Sequence, residues 1–199
     1  MKDCLNVCLI GTGRAGMIHA RSYMGNVVGA RLLAICDPCE ENLKKAQEEL
    51  HVAYTYADYQ VALQNKEIDA VIVVTPTGTH KEIVLAAASA GKHVFCEKPM
   101  AISAEECDEM IAACKQHHVK LQVGFMRRYD PSYAYAKEKI KEGAIGTPYM
   151  VKAAGIDPEA LAEGAIKFAA TSGGIFIDMA IHDIDLMRWF LESDPVEVY

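Results

Sequence analysis

The sequence predicts an α/β fold in which a doubly wound parallel sheet is followed by a second, incomplete α/β domain. Three observations lead there. Short β-branched runs alternate with amphipathic stretches over residues 1–123, a glycine triplet directly follows the first run, and after Gly124 the texture changes to longer helical segments. Alternation of this kind implies a parallel sheet with helices on both faces, wound by right-handed crossovers.

The elements follow in chain order. Residues 7–10 read as the first strand and 15–24 as the first helix; 31–36 is a second strand and 40–50 a charged helix containing NLKKAQEEL. A short helix over 58–64 precedes a strand at 70–74, a helix at 79–90 and a strand at 93–96. The next helix, 104–116, opens on Ser103 with Glu106 three residues later, a capping box, and leads into a strand at 121–123. In the second domain, 124–199, the segment 125–143 reads as one long helix, 148–154 as a strand and 157–171 as irregular or partly helical. An apolar helix over 173–189 follows, and 195–199 looks like the start of a strand.

Composition excludes several classes. Of 199 residues, 51% are hydrophobic and 24% charged, which is ordinary for a globular protein. The net charge is −7 and no basic run exceeds Arg127-Arg128, arguing against a nucleic acid or an anionic membrane surface as partner. Uncharged apolar runs such as 70–74 and 83–90 are far too short to span a bilayer. The start, MKDCLNVCLIGTG, carries an acidic residue and glycines where a signal peptide needs a basic start and a long apolar stretch, so a cytoplasmic protein is expected. Seven cysteines, an odd number scattered through strands and helices, argue against a disulfide framework. One spacing, Cys36-Asp37-Pro38-Cys39, could be a redox or zinc half-site, but no second C-x-x-C completes four ligands, and no metal is expected.

Gly11-Thr12-Gly13-Arg14-Ala15-Gly16 is G-x-G-x-x-G between a strand and a helix. That context suits a tight turn, close backbone approach to a pyrophosphate, and exposure of helix N-terminal N–H groups to the anion. Asp37 closes the second strand about 20 residues further on, where a carboxylate accepts hydrogen bonds from an adenosine ribose; a 2′-phosphate would be repelled, so the position favours NAD. A tight turn and a helix-capping Asp remain the plainer alternative. At the carboxyl end of strand 93–96 stands Glu97-Lys98-Pro99, and Thr75-Pro76-Thr77 with His80 follows strand 70–74 in the same way. Open parallel sheets bind ligands at that edge. A lysine there, near a nicotinamide cation and away from water, would be drawn toward proton transfer, whereas Glu97 and Lys98 could equally form a solvated pair. In GGIFIDMAIHDIDLMRW, Asp178, His182 and Asp185 share one helical stripe at i, i+4 and i+7. Period alone reads that stripe as a solvated face.

Together GTGRAG, TPTGTH, GKHVFCEKPM, GFMRRYDPSY and GGIFIDMAIHDIDLMRW resemble the Gfo/Idh/MocA oxidoreductase family, most nearly its inositol dehydrogenase branch, over nearly the whole chain. The resemblance implies a Rossmann domain holding NAD and an α/β substrate domain. It implies a catalytic set of Lys98, Asp178 and His182, acting on a secondary hydroxyl of a cyclic polyol or sugar. Cofactor binding would fall to Gly11, Gly13, Arg14, Ala15, Gly16, Asp37, Thr75, Pro76, His80, Glu97, Lys98 and Arg127. Substrate binding would fall to Lys98, Arg127, Asp178 and His182. Pro99 would be a cis-proline directing Lys98, and Glu97 would approach the nicotinamide ribose. Two departures stand out. Gly155 and Ile156 occupy a strand end where similar proteins carry larger polar groups, and the chain ends at Tyr199, before most of the second domain's sheet. Residues such as Ile177, Ile181, Leu186 and Phe190 would then lack cover, and a homo-oligomer is expected only where that domain is complete. A non-catalytic NAD-binding module and a C-x-x-C redox protein are the competing readings.

Overall fold

The computed structural model describes residues 3–25, 27–156, 158–161, 163, 166 and 173–199, and the chain divides into two units, Met1–Gly124 and Phe125–Tyr199. In the first unit six parallel strands, β1 (Leu5–Ile10), β2 (Ala30–Cys36), β3 (Tyr54–Tyr56), β4 (Ala70–Val73), β5 (His93–Cys96) and β6 (Leu121–Val123), run in the order β3-β2-β1-β4-β5-β6. Helices α1 (Arg14–Tyr23), α2 (Glu40–Leu50), α3 (Tyr59–Gln64), α4 (His80–Ser89) and α5 (Ala104–Gln116) connect them. This is the doubly wound order expected of a dinucleotide fold, with the turn of direction between β1 and β4.

Alternation along β1 builds two cores. Val7 and Leu9 pack with Ala20 of α1, Ala46 and Leu50 of α2, and Ile72 on one face. Cys8 and Ile10 pack with Ala62, Ile83, Val84, Ala87 and Met110 of α3, α4 and α5 on the other. Strands covered on both faces have no solvent side, which is why β1, β2 and β4 read as continuous apolar runs. Each fully buried side chain of this kind contributes about 1.5–3 kcal/mol. Two buried polar side chains are matched: Asn6 donates its side-chain N–H to the Glu67 carbonyl and accepts from Arg31, and the Lys92 ammonium donates to the carbonyls of Asn65 and Ile68. Burial pushes the Lys92 ammonium below its usual value, although Asp69 opposes the shift.

Ser103 caps α5 as expected, its Oγ accepting from the Glu106 N–H at 3.3 Å, while the Glu106 carboxylate reaches back to the Ile102 N–H at 3.4 Å. β3 was not among the expected strands; Tyr54 and Thr55 are exposed, Tyr56 is half-buried, and its three residues at the sheet's edge are too few for a periodic signal.

The second unit corrects three expectations. Residues 125–143 are not one helix: a 3₁₀ turn, Met126–Tyr129, is followed by α6 (Pro131–Lys141). Pro131 disfavours helical geometry at Asp130, whose side chain instead accepts from the N–H groups of Ser132 and Tyr133 and caps the new helix. Residues 148–154 and 195–199 lie in no strand, and no described strand of this unit offers them a ladder. Of 157–171, the described part holds a 3₁₀ turn, Glu159–Leu161; the remainder lies outside the described residues. The apolar helix begins as a π-turn, Phe176–Ala180, and continues as α7 (Ile181–Leu191). Buried Lys137 of α6 closes the far end of α7, donating to the Trp189 carbonyl at 2.6 Å and to Glu192 at 2.7 Å. No described helix is long and apolar enough to cross a membrane.

Candidate functional site

The ladder runs one residue beyond the strands at their carboxyl ends. Gly11 N–H donates to the Cys36 carbonyl at 2.8 Å, Val74 N–H to Ile10 at 2.9 Å, Asp37 N–H to Tyr56 at 3.0 Å, Glu97 N–H to Val73 at 2.9 Å, and Gly124 N–H to Cys96 at 2.9 Å. Gly11, Asp37, Val74, Glu97 and Gly124 therefore stand along one pinned edge, with Thr75 next after Val74.

The three motif glycines answer different demands. Gly11 has φ +99°, and a Cβ on it would lie 2.3 Å from the Val74 carbonyl oxygen; a Cβ on Gly16 would lie 1.9 Å from the Gly11 oxygen. Gly11 lets the turn after β1 press against the end of β4, and Gly16 lets α1 pack on that turn. Gly13 caps the N-terminus of α1, with extended backbone and no side chain closing the helix end, and a Cβ there would meet nothing within 4 Å. The first-turn N–H groups thus face open space beside exposed Arg14, with no acidic side chain in that turn. This arrangement fits a pyrophosphate anion.

Asp37 is buried, with one oxygen accepting from both the Thr12 N–H (2.7 Å) and the Thr12 hydroxyl (2.9 Å) and the other accepting from the Cys39 N–H (2.9 Å). A carboxylate oxygen can accept twice. The oxygen that faces Cys39 therefore keeps capacity for a ribose hydroxyl. The Cys36 thiol, on the neighbouring residue, is pushed up to about 12 by burial and then by the charges of Asp37 and Asp58. A thiol of that kind holds almost no thiolate near neutrality, so Cys36 is a poor nucleophile.

Further along the edge, Glu97 is held on both oxygens. Oε1 lies 2.7 Å from His19 Nε2 of α1, and Oε2 accepts from the Lys98 N–H at 2.9 Å. Burial works to raise this carboxyl, but the hydrogen bonds from His19 and Lys98 outweigh it and hold it below the ordinary carboxylate value. The Lys98-Pro99 peptide is cis. His80 is a buried strut: its Nδ1 lies 2.9 Å from the Pro99 carbonyl oxygen and its Nε2 2.8 Å from that of Thr75. A neutral ring donates to one of these carbonyls and only a doubly protonated ring to both. His80 thereby ties the β4 loop to the β5 loop rather than offering a free nitrogen at the surface. The Thr75 side chain meets Thr79, with hydroxyl oxygens 2.8 Å apart.

In the second unit, Asp178 sits in the π-turn and His182 in the first turn of α7, both half-buried. Gly173 and Gly174 precede them at φ +87° and +86°, a conformation that side chains resist. The π-turn departs from the uniform helix that the spacing assumes, with Asp178 inside the turn and His182 just past it. Asp185 is buried and accepts a two-pronged pair of hydrogen bonds from Arg128, at 2.8 and 2.7 Å. Arg127 pairs with Asp183, and a Cβ on Gly155 would come within 2.9 Å of that Asp183 carboxylate. A small residue at 155 accordingly accommodates this ion pair. Thr12, His19 and Asp183 were not singled out from sequence.

A glycine-cradled helix start, a buried carboxylate at the end of β2 and a parallel sheet of this order define a dinucleotide-binding domain. Residues 5–125 match the family model described as "Oxidoreductase family, NAD-binding Rossmann fold", and residues 133–199 match the Gfo/Idh/MocA C-terminal domain. The chain belongs to the Gfo/Idh/MocA oxidoreductase family. It is 39% identical over 200 residues to a scyllo-inositol 2-dehydrogenase (NAD(+)) of Bacillus subtilis, with 100% of this chain and 57% of that protein covered. Against a myo-inositol 2-dehydrogenase of Thermotoga maritima it is 38% identical, covering 98% of this chain and 57% of that one. Among solved structures, scyllo-inositol dehydrogenase of Lactobacillus casei with bound NAD(H) and scyllo-inositol superposes with a TM-score of 0.89 at 40% identity, over 95% of this chain and 56% of that one. The myo-inositol 2-dehydrogenase of Lactobacillus plantarum gives 0.91 at 45% identity, over 97% and 58%. The chain thus spans a little over half the length of the relatives it matches.

Proposed function

We propose that this chain forms the cofactor domain, residues 1–123, and the opening part of the substrate and oligomerisation domain, 124–199, of an NAD-dependent dehydrogenase. Its substrate would be a cyclic polyol resembling myo-inositol, or a sugar, oxidised at a secondary hydroxyl. The observation that carries this reading is the open helix start at Gly13 beside a buried Asp37 with acceptor capacity to spare. The names of the relatives support the substrate class.

When bound, NAD+ supplies a hydride acceptor at nicotinamide C4. Gly11, Gly13, Ala15 and Gly16 shape the backbone around the pyrophosphate, Arg14 adds charge, and Asp37 receives the adenosine ribose. Thr75, Pro76 and Glu97 form the edge beyond β4 and β5, with His80 bracing it. The substrate hydroxyl must lose its proton as its carbon loses hydride. His182 suits that exchange because an imidazole changes charge near neutral pH. Asp178 orients the imidazole or a neighbouring hydroxyl, Lys98 stabilises the developing alkoxide, and Arg127 contributes to ligand contact through its pair with Asp183. A cytoplasmic location and homo-oligomeric assembly of the whole enzyme belong to the same reading; free thiols such as Cys4 and Cys39 suit a reducing compartment.

The test is turnover. Purified protein with NAD+ and a panel of inositols and sugars should produce the absorbance of reduced nicotinamide, and His182→Ala should lower kcat by about 10²–10⁴-fold. NAD+ binding without turnover on any panel member would replace the enzyme with a non-catalytic NAD-binding module.

A further inference from the structure

Glu97 connects three parts of the first unit that the sequence keeps far apart. One oxygen meets His19 on α1, the helix that begins at the glycine motif, and the other meets the Lys98 N–H. Gly124, just past β6, leaves room for it: a Cβ there would lie 3.0 Å from Glu97 Oε1 and 3.0 Å from the Phe95 ring. His19 in turn stands edge-on to Phe95, with ring centroids 5.4 Å apart. The imidazole is therefore fixed on two sides, and the carboxylate cannot leave without giving up a short contact. At 26% and 20% side-chain exposure, both groups still reach solvent and any ligand at the edge.

Topology assigns a neighbour to this carboxylate. The β1–β3 half of the sheet carries the glycine loop and Asp37, so it takes the adenosine side of a dinucleotide; the β4–β6 half takes the other nucleotide. Glu97, at the end of β5, belongs to that second half. Oxidised nicotinamide is a cation and the reduced ring is neutral, so a fixed anion nearby favours the oxidised form.

We propose that His19 is a positioning residue that holds the Glu97 carboxylate beside the nicotinamide half of the site and so sets a preference for NAD+ over NADH. This rests on the NAD-binding reading above. Neither His19 nor the redox preference follows from the glycine motif or from Lys98.

The experiment is calorimetric titration of NAD+ and NADH, without substrate, into the wild-type chain and into His19→Ala, His19→Gln, Glu97→Gln and the His19→Ala/Glu97→Gln double variant. Gln places an amide N–H near the position of Nε2 and should keep the wild-type affinity ratio. His19→Ala should weaken NAD+ roughly fivefold and leave NADH within about twofold, the size of one partly exposed charge contact. Glu97→Gln should reproduce that change, and the double variant should add nothing to it. Equal weakening of both cofactors, an unchanged ratio in His19→Ala, or additive effects in the double variant would overturn the inference. Turnover by a wild type whose ratio ignores His19 sinks this inference alone. A wild type that binds NAD+ and never turns over sinks the reaction alone, and one that binds neither cofactor sinks both.

Discussion

Asp37 illustrates how a motif residue acquires its meaning from a partner the motif does not specify. Thr12 occupies a variable position of G-x-G-x-x-G, yet its backbone and hydroxyl both hold one oxygen of Asp37. Thr12→Val keeps the backbone bond and deletes the hydroxyl. It should cost about 1–2 kcal/mol of stability in denaturant unfolding and weaken NAD+ a few-fold in titration. Glu97 carries a second residue-scale consequence. Its carboxyl is held below the value it has in the unfolded chain, so the folded state binds fewer protons than the unfolded one through the carboxylate range. This contribution to stability is full above the unfolded value and is lost as pH falls through the folded value. Glu97→Gln should flatten the acid limb of a stability–pH curve relative to wild type, measured by unfolding at successive pH values. These contacts were illegible in sequence for a simple reason. Thr12 and Asp37 are 25 residues apart, His19 and Glu97 are 78 apart, and neither pair leaves a periodic trace.

At the scale of elements, the helices of the first unit and most of its strands were readable because burial on both sheet faces forces long apolar runs. β3 escaped, since an edge strand of three residues with Thr55 at its centre has no such signature. In the second unit the pattern misled where a local rule opposed it: Asp130-Pro131 stops one helix and starts another. The strand-like residues 148–154 found no described neighbour to pair with. The motif glycines permit a clean separation of structure from binding. Gly16→Ala puts a Cβ 1.9 Å from a backbone oxygen and should lower unfolding stability by about 1–3 kcal/mol or more, with NAD+ binding lost alongside. Gly13→Ala meets nothing within 4 Å and should leave the melting temperature near wild type while weakening NAD+ at least tenfold in calorimetry. Similar melting losses in both variants would contradict this division.

For the whole molecule, the two units differ in how their apolar residues are covered. The first exposes scattered hydrophobics such as Ile18 and Val28 but has its two cores closed by helices, whereas the second exposes Tyr149, Met150, Ile156, Ile175, Phe176, Val196, Val198 and Tyr199. Exposure of many such side chains favours association. The 199-residue chain should therefore bind a hydrophobic dye and show an average mass in light scattering that rises with concentration. Phe176→Ser combined with Val198→Ser should reduce both effects. The form of that association is constrained by the sheet. Both outermost strands, β3 and β6, are only three residues long. They offer almost no template for another chain's backbone, so clustering should proceed through side chains and remain reversible on dilution, without the fibrillar growth that long bare strands invite.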